Sequence, residues 1–336
     1  MTSKRIGILT FWEVPNYGAW TQAYALNNIV KSLACPQDIV EHINYLHPIH
    51  HSLYYKNDER LYNSFLYSWN IIPHTKKYTE SELENQKFDV IITGSDTIWE
   101  FNISDFGNDK HLIGNHLMTK ELIAYAPSFG TMSLTDNYDS WIVEGLKKYR
   151  AISVRDENSA NIVKKLIDSN SANIVLDPSL LWDFENDANV VEPIYENYVA
   201  VYGYSWDKEF IKNTVNFAKK RRLKLISIGF INDWCDVNIK MVELRALEWI
   251  GMIKKASYVV TSTFHGLMLS LSFRKQVKFY QTEYVKKRSQ TLKKELNIPD
   301  YMKNYHAELN YKYIDEKLKV LREYSILYLI KALGED

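Results

Sequence analysis

The 336 residues exceed the roughly 250–300 that one hydrophobic core usually holds, so the length predicts two domains. Apolar residues make up 46% and charged residues 24%, a balance that excludes a disordered chain. Basic and acidic residues are equal at 41 each, so no net charge favours nucleic acid as a partner. With two cysteines, no legible secretory signal and no apolar run long enough for a bilayer, we expect a cytoplasmic protein.

Short apolar runs alternate with helical patterns along the first half of the chain. The predicted strands of this half are Ile6–Phe11, Asp38–Tyr45, Phe88–Thr93, Leu122–Ala126, Ala151–Val154 and Ile174–Leu176. The predicted helices are Ala19–Leu33 and Asp156–Ile167. An aromatic-rich segment over residues 45–87 interrupts this alternation and predicts an insertion with helical pieces.

The alternation restarts after an acidic stretch that ends near residue 196. The predicted strands of the second half are Tyr198–Tyr202, Lys224–Ile228, Tyr258–Thr261 and Val277–Tyr280. The predicted helices are Asp207–Arg221, Leu244–Lys255 and Phe264–Phe273. Two such series predict an α/β protein with two Rossmann-like domains facing a cleft. The predicted domains cover residues 1–182 and 183–310, and residues 311–336 form a helix that packs back across the seam.

Polar segments follow several of the predicted strands, at the edge where open parallel sheets bind ligands. They are Asn16 to Gln22, Ile92 to Trp99, Ala126 to Gly130, Ser153 to Glu157, and Thr261 to Gly266. Each is a candidate binding segment. For the first of them, the alternative is an ordinary turn between a strand and a helix.

Two charged residues in these segments admit two explanations each. Asp96 is either a proton acceptor for a substrate hydroxyl or the cap of a following helix. Arg155 either binds a carboxylate or phosphate of a ligand or pairs locally with Asp156 or Glu157. Trp99 is a sugar-stacking platform if it is exposed and a core residue if it is buried.

His265 is the sharpest single candidate in the sequence. It follows the hydroxyl residues Ser262 and Thr263, either of which can cap the helix that begins there. A histidine at this position can donate a proton and contact a phosphate. A lone histidine is more often structural, but its place between a strand and a helix of the second domain favours a role in catalysis.

The motifs of this chain, in their order, resemble the polysaccharide pyruvyl transferases. The matching segments are Gly7 to Phe11, Asn16-Tyr17-Gly18-Ala19 with Gln22 to Leu26, Gly94-Ser95-Asp96 with Trp99, Tyr125-Ala126 with Ser128-Phe129-Gly130, Ser153-Val154-Arg155, Leu176 to Leu181, and Ser262 with Phe264-His265-Gly266. The resemblance implies a fold like that of the GT-B glycosyltransferases. It also implies transfer of pyruvate from phosphoenolpyruvate (PEP) to a sugar as a ketal, in capsule, exopolysaccharide or cell-wall synthesis, with no other cofactor and no metal.

The resemblance also assigns roles to individual residues. His265 would be the acid and phosphate partner, Arg155 would bind the donor's anionic groups, and Asp96 would be the base or hydroxyl anchor. The predicted substrate-binding residues are Asn16, Tyr17, Gly18, Gln22, Gly94, Ser95, Trp99, Ser128, Phe129, Gly130, Ser262, Thr263, Gly266, Lys287 and Arg288. Some family members carry an arginine where this chain has Thr263, so Arg155 or Arg288 would replace that cation.

Three alternatives remain open at this stage. A GT-B glycosyltransferase with a nucleotide sugar would use the same fold, and a carbohydrate-binding protein would bind glycan without turnover. His47, His50 and His51 form either a metal site or part of an acceptor-facing aromatic segment. If the acceptor is lipid-linked, this segment would contact the inner face of the plasma membrane peripherally. The oligomeric state is not predicted.

Overall fold

The structure, a computed structural model, describes residues 3–168 and 172–334, which form two compact units. Among the described residues, the first unit holds those up to Tyr62, those from Trp69 to Trp182 and those from Val320 onward. The second unit holds Asn63–Ser68 and Asp183–Lys319. The cleft predicted between the domains, and the packing of the last helix across their seam, stay predictions.

The first unit is built on a parallel sheet of six strands in the order β2-β1-β3-β4-β5-β6. Its strands are β1 (Arg5–Leu9), β2 (Ile39–His42), β3 (Lys87–Thr93), β4 (Met118–Ala124), β5 (Ala151–Val154) and β6 (Asn173–Ile174). β1 and β3 are buried along almost their whole length, as strands covered on both faces require. Because all strands run parallel, their carboxyl ends lie at one edge of the sheet.

Helices connect these strands and begin at residues suited to capping. They are α1 (Tyr17–Leu33), α2 (Pro48–Asn57), α3 (Glu59–Asn70), α4 (Glu80–Glu84), α5 (Ser140–Leu146) and α6 (Glu157–Ile167). The Asn16 side chain accepts from the amides of Gly18 and Ala19 at the start of α1. Thr79 and Glu82 form a capping box on α4, which allows so short a helix to form.

The second unit repeats the scheme with a parallel sheet of five strands in the order β11-β10-β7-β8-β9. Its strands are β7 (Tyr198–Tyr202), β8 (Lys224–Gly229), β9 (Val237–Lys240), β10 (Tyr258–Thr261) and β11 (Val277–Phe279). Its helices are α7 (Lys208–Arg221), α8 (Ala246–Lys255), α9 (Phe264–Ser272) and α10 (Glu283–Glu295). The last helix of the described residues, α11 (Tyr311–Leu333), begins in this unit and has its residues from Val320 onward in the first unit. None of the helices in the described ranges is long and apolar enough to cross a membrane.

The predicted fold class, two Rossmann-like α/β domains of the GT-B type, is confirmed. β5, β7 and β10 begin and end at the predicted residues, because each is a short apolar run in the middle of a buried sheet. β9 and α5 were not predicted. β9 has only two apolar residues, and as the last strand of its sheet it is half exposed.

Most of the aromatic residues fill the cores. Trp12, Trp20 and Trp99 are fully buried, so the structure makes them packing residues instead of exposed glycan platforms. Four aromatic residues of the 45–69 segment are also buried, namely Tyr45, Tyr62, Phe65 and Trp69. Tyr67 is exposed and stacks beneath the guanidinium of Arg245. Packing on the core therefore accounts for most of this segment.

Candidate active site

Gln22 on α1 ties together the ends of β1 and β3 in the first unit. Its amide nitrogen donates to the carbonyl oxygens of Ala19 and Phe11 at 2.8 and 3.2 Å. Its amide oxygen accepts from the Ser95 hydroxyl at 2.7 Å, and the Thr10 hydroxyl donates to the Ser95 carbonyl at 2.8 Å. Gln22 and Ser95, both predicted to line the substrate site, are fully buried and hold the loop after β3 in place.

Gly94 permits a close approach between the segments that follow β3 and β4. Its φ is +121°, in the region that favours glycine. A Cβ atom at this position would lie 2.1 Å from the carbonyl oxygen of Tyr125. The predicted binding glycine is therefore required by the backbone packing of these two segments.

Asp96, Arg155 and Asp177 form a buried ion-pair cluster at the carboxyl edge of the first sheet. The guanidinium of Arg155 contacts Asp177 Oδ2 through Nη1 at 3.1 Å and Asp96 Oδ1 through Nη2 at 3.4 Å. Asp96 Oδ1 also accepts from the backbone amide of Thr97 at 2.8 Å. No α-helix of the described chain begins at Asp96, so it is a partner of Arg155 and not a helix cap.

Asp177 is the member of this cluster that sequence reasoning missed. It follows β6, and its other oxygen accepts from the amide and hydroxyl of Ser179 at 3.0 and 2.6 Å. Asp177 thereby caps the 3-10 helix Pro178–Leu180. The available signal was its position after a strand, within a motif that the resemblance already contained.

Asp156, considered above as an ion-pair partner of Arg155, is a helix cap. It caps α6 by accepting from the amide of Ser159 at 2.7 Å, whereas Arg155 contacts Asp96 and Asp177. Its second oxygen accepts from the buried Ser128 hydroxyl at 2.6 Å.

Gly130, with a φ of +58°, leaves room for the buried carboxylate of Glu100. A Cβ atom at residue 130 would lie 2.2 Å from this carboxylate. Ser128 and Gly130 therefore shape the loop after β4.

The second unit presents a hydroxyl-rich turn between β10 and α9. Ser262 Oγ donates to the Tyr204 carbonyl oxygen at 2.9 Å and accepts from the Tyr204 amide at 3.0 Å. Thr263 caps α9, as predicted, by accepting from the Gly266 amide at 3.0 Å. At Gly266, a Cβ atom would lie 2.2 Å from the Thr261 hydroxyl. These contacts fix the start of α9 against the ends of β10 and β7.

His265 and Arg288 are brought to the same end of α9. His265 is the second residue of this helix and is largely buried, with its ring edge-on to Phe264 at 5.3 Å. The guanidinium of Arg288, on α10, lies 5.8 Å from the centre of the Phe264 ring and 5.1 Å from that of Tyr284. Lys287 is exposed on the adjacent face of α10. Of the predicted basic pair, Arg288 is the cation packed beside the α9 N-terminus.

Aromatic residues gather at the carboxyl edge of the second sheet, a feature that sequence reasoning missed. The indole of Trp206 lies 6.0 Å from Trp234 and 5.6 Å from Tyr280, measured between ring centres. Its Nε1 donates to the Asn232 side chain at 2.8 Å. Tyr204 is exposed beside them. These residues follow three different strands, so only the folded sheet brings them together.

The remaining predicted residues of the first unit lie at or near the starts of helices and in the core. Asn16 is exposed, whereas Tyr17 and Gly18 are buried in the first turn of α1. Trp99 donates from Nε1 to the Leu112 carbonyl oxygen at 2.9 Å and packs 5.2 Å from the buried Phe129. Buried side chains have no free face for a sugar, so Trp99 and Phe129 shape the unit from within.

His47, His50 and His51 do not converge on one point. His47 caps α2, His50 is buried between Phe11 and Phe106, and His51 packs on Tyr62. Within the described residues, the group that could hold a metal ion is a different one. The metal site considered for these three histidines is therefore not formed.

Comparison with protein families gives one extended match. A family model described as polysaccharide pyruvyl transferase matches residues 16–277 of the chain. The matched region contains Asp96, Arg155, Asp177 and His265, whereas Lys287 and Arg288 lie beyond it. No curated protein matches the chain in sequence.

Comparison with solved structures identifies proteins of the same fold. S. aureus MnaA in complex with UDP has a TM-score of 0.51 at 10% identity, with 98% of this chain and 91% of that chain covered. A UDP-N-acetylglucosamine 2-epimerase described for Listeria monocytogenes has a TM-score of 0.51 at 8% identity, with the same coverage. UDP-GlcNAc 2-epimerase from Neisseria meningitidis has a TM-score of 0.50 at 10% identity, with 98% and 94% covered. At these identities the likeness concerns the fold alone.

Proposed function

Because the chain belongs to the polysaccharide pyruvyl transferase family, we propose that it transfers a pyruvyl group from PEP to two hydroxyls of a sugar, as a cyclic ketal. The observation that carries the proposal is the family match over residues 16–277. The acceptor would be a sugar of a capsule, exopolysaccharide or cell-wall glycan. PEP is the co-substrate, and no further cofactor is proposed for the chemistry.

The proposed reaction needs one acid and one base. A proton is added to the methylene carbon of PEP, which becomes a methyl group and leaves a cationic centre at the neighbouring carbon. One sugar hydroxyl attacks that centre and loses its proton, and the C–O bond to phosphate then breaks. The second hydroxyl attacks the same carbon and releases its proton to the departing phosphate. One PEP and two hydroxyl groups thus give one ketal and one hydrogen phosphate.

The second unit supplies the groups that suit the anionic donor. His265 is our candidate for the acid that protonates the methylene carbon and contacts the phosphate. Arg288 packs 5.8 Å from the ring centre of Phe264, the residue before His265, and supplies a cation there. We propose that Arg288 takes the place of the arginine that other members carry where this chain has Thr263.

The first unit supplies Asp96, which we propose as the base for a sugar hydroxyl. The sequence predicted that Arg155 would bind the donor's anionic groups. Two carboxylates already contact this guanidinium, so we propose that Arg155 instead positions Asp96. Asp177 completes the arrangement by holding the other side of the guanidinium.

The test is an assay of the purified chain with PEP and a panel of acceptor glycans, both free and lipid-linked. Phosphate release that depends on the acceptor, with a pyruvyl ketal gained in the acceptor mass, would support the proposal. The matched control replaces PEP with nucleotide sugars. Sugar transfer in that control with PEP inert would overturn the proposal in favour of a glycosyltransferase, and binding of glycan without turnover would indicate a carbohydrate-binding protein. A preference for lipid-linked acceptors would support a peripheral location of the enzyme at the inner face of the plasma membrane.

A further inference from the structure

Two glutamates and a histidine of the first unit lie close together and are not among the candidate active-site residues. Glu80 and Glu84 lie four residues apart on α4 and so share one helix face. His111 lies on the 3-10 helix Lys110–Ile113. One ligand atom from each of the three residues lies within 4.8 Å of the others.

Asp109 fixes the orientation of the His111 ring. The Asp109 carboxylate accepts from His111 Nδ1 at 2.7 Å, and both side chains are at most 3% exposed. Nε2 lies 3.3 Å from Glu84 Oε1, and a neutral ring with its proton on Nδ1 would present a lone pair on that side. A carboxylate behind a histidine, with the far nitrogen facing further ligands, is the arrangement that supports metal-binding histidines.

One of the distances equals that between two ligands of one ion. Ligand atoms about 2.0–2.1 Å from a tetrahedral zinc ion are about 3.3 Å apart, which equals the separation of His111 Nε2 and Glu84 Oε1. Two atoms that both present lone pairs repel one another unless a cation lies between them. A proton on Nε2 would satisfy the contact with Glu84 in the absence of an ion, and the two states differ in whether the cluster binds zinc.

A buried tyrosine beside His111 is a second, independent sign of a missing ligand. Tyr45 is only 3% exposed, and its hydroxyl has no hydrogen-bond partner among the described residues. Its ring stands edge-on to that of His111 at 5.2 Å. A buried hydroxyl without a partner is costly, and a water molecule on a bound ion would satisfy it.

We propose that Glu80, Glu84 and His111 bind one divalent transition-metal ion, with zinc as the preferred ion, and that Asp109 positions the histidine. A set of one imidazole and two carboxylates suits zinc, whereas magnesium and calcium take oxygen ligands. Water is the fourth ligand, and it meets the Tyr45 hydroxyl.

The elements that carry the ligands indicate what the ion does. α4 precedes β3, and the 3-10 helix Lys110–Ile113 precedes β4. An ion held by both fastens the five-residue α4 to this 3-10 helix, so we propose a structural role for it.

The test is a titration of the metal-free full chain with Zn²⁺ alone, against a competing chelator at pH 7. We expect one ion per chain and a rise in Tm of about 5–10 °C when free zinc reaches about 100 times Kd. Glu80→Gln should weaken zinc binding by about 10-fold or more, and it should fold because Glu80 is exposed. Glu84→Gln should do the same.

Two matched controls distinguish this site from adventitious binding. Glu144→Gln removes an exposed glutamate from α5, and His306→Gln removes an exposed histidine of the second unit. Both should bind zinc as the original chain does. The proposal is overturned if the chain binds no stoichiometric zinc, which would make the cluster a protonated histidine with its carboxylates. It is also overturned if Glu80→Gln and Glu84→Gln bind as tightly as the controls.

Discussion

The guanidinium of Arg155 lies 3.1 Å from the carboxylate of Asp177, and each of the two side chains is only 1% exposed. Asp96 is the second carboxylate on this guanidinium, at 3.4 Å. Charges held away from water interact strongly, and removing one partner leaves the other without compensation. The pair therefore fixes the end of β6 to the ends of β5 and β3, and it sets the position of the proposed base.

Arg155 and Asp177 should be energetically coupled. Arg155→Met and Asp177→Asn should each lower the free energy of unfolding by about 3–5 kcal/mol, because each leaves a buried charge poorly compensated. The double variant should lose clearly less than the sum of the two. Urea unfolding of the four proteins measures this coupling. Losses that simply add would show that the two side chains do not act as a pair.

His265→Ala should lower the rate of pyruvyl transfer by about 10²–10⁴-fold, the usual contribution of a general acid. The free energy of unfolding should change by less than about 2 kcal/mol, because Thr263 still caps α9. Phosphate release and thermal unfolding measure the two effects. His306→Ala, at an exposed position, is the control and should keep the full rate. A rate near that of the original chain would refute the role of His265 as the acid.

Arg288→Met should raise the KM for PEP by about 10-fold or more, because a charge-assisted contact to an anion contributes about 1.5–3 kcal/mol. Lys287→Met is the matched control, since it removes the same charge from the exposed neighbouring position. Its KM should change by less than about 3-fold. Steady-state kinetics at varied PEP concentration measure both values. Equal effects of the two substitutions would indicate general electrostatic attraction and not a specific contact.

Gly94→Ala should lower the free energy of unfolding by at least about 3 kcal/mol, because the new methyl group meets the Tyr125 carbonyl oxygen and φ is positive. Gly334→Ala is the control with a positive φ of +72° and open space around it. It should cost only about 1 kcal/mol. Denaturant unfolding compares the two. A loss for Gly94→Ala no greater than for the control would show that the close approach is not rigid.

His42 should make the stability depend on pH. Burial lowers its pKa to about 4 from the ordinary 6.5, against the opposing effect of its hydrogen bond with the Ala23 carbonyl oxygen. Between these values the unfolded chain binds more protons than the folded one, so stability is full above pH 6.5 and falls toward pH 4. The slope from this one group is at most about 1.4 kcal/mol per pH unit.

His42→Gln keeps a donor for Ala23 and removes the titration. Its free energy of unfolding, measured by denaturant at pH 7 and at pH 5, should fall less between these two values than that of the original chain. Burial lowers the pKa of His50 to about 4 as well, so part of the pH dependence should persist in the variant. An unchanged pH dependence in His42→Gln would refute the assignment to His42.

Local sequence patterns were enough for most strands of the two sheets. β5, β7 and β10 were predicted with the bounds they have, because buried parallel strands are short apolar runs. Thr263, one of the two residues predicted as the cap of α9, does cap it, because capping depends on a residue and its next few neighbours. β9, with two polar residues among four at the edge of its sheet, carries no such pattern.

Local sequence patterns could not predict which residues contact the charged and aromatic side chains. Arg155 was weighed against its neighbours Asp156 and Glu157, yet it pairs with Asp96 and Asp177 on other strand ends. The sequence allowed Trp99 to be either an exposed surface for sugar stacking or a core residue. Its burial in the structure shows that it is a core residue. The convergence of Glu80 and Glu84 with His111 likewise joins segments that are separate in sequence.

The sequence by itself determined the α/β class, the alternation of strands and helices, and the family to which the chain belongs. These follow from the period of apolar residues and from short motifs, which depend on neighbours along the chain. The tertiary structure decided which strand ends lie side by side, and hence which carboxylates contact Arg155 and which cation packs beside the start of α9. The physical reason is that strand order in a parallel sheet is set by the packing of the whole unit, and side chains at adjacent strand ends meet regardless of their separation in sequence.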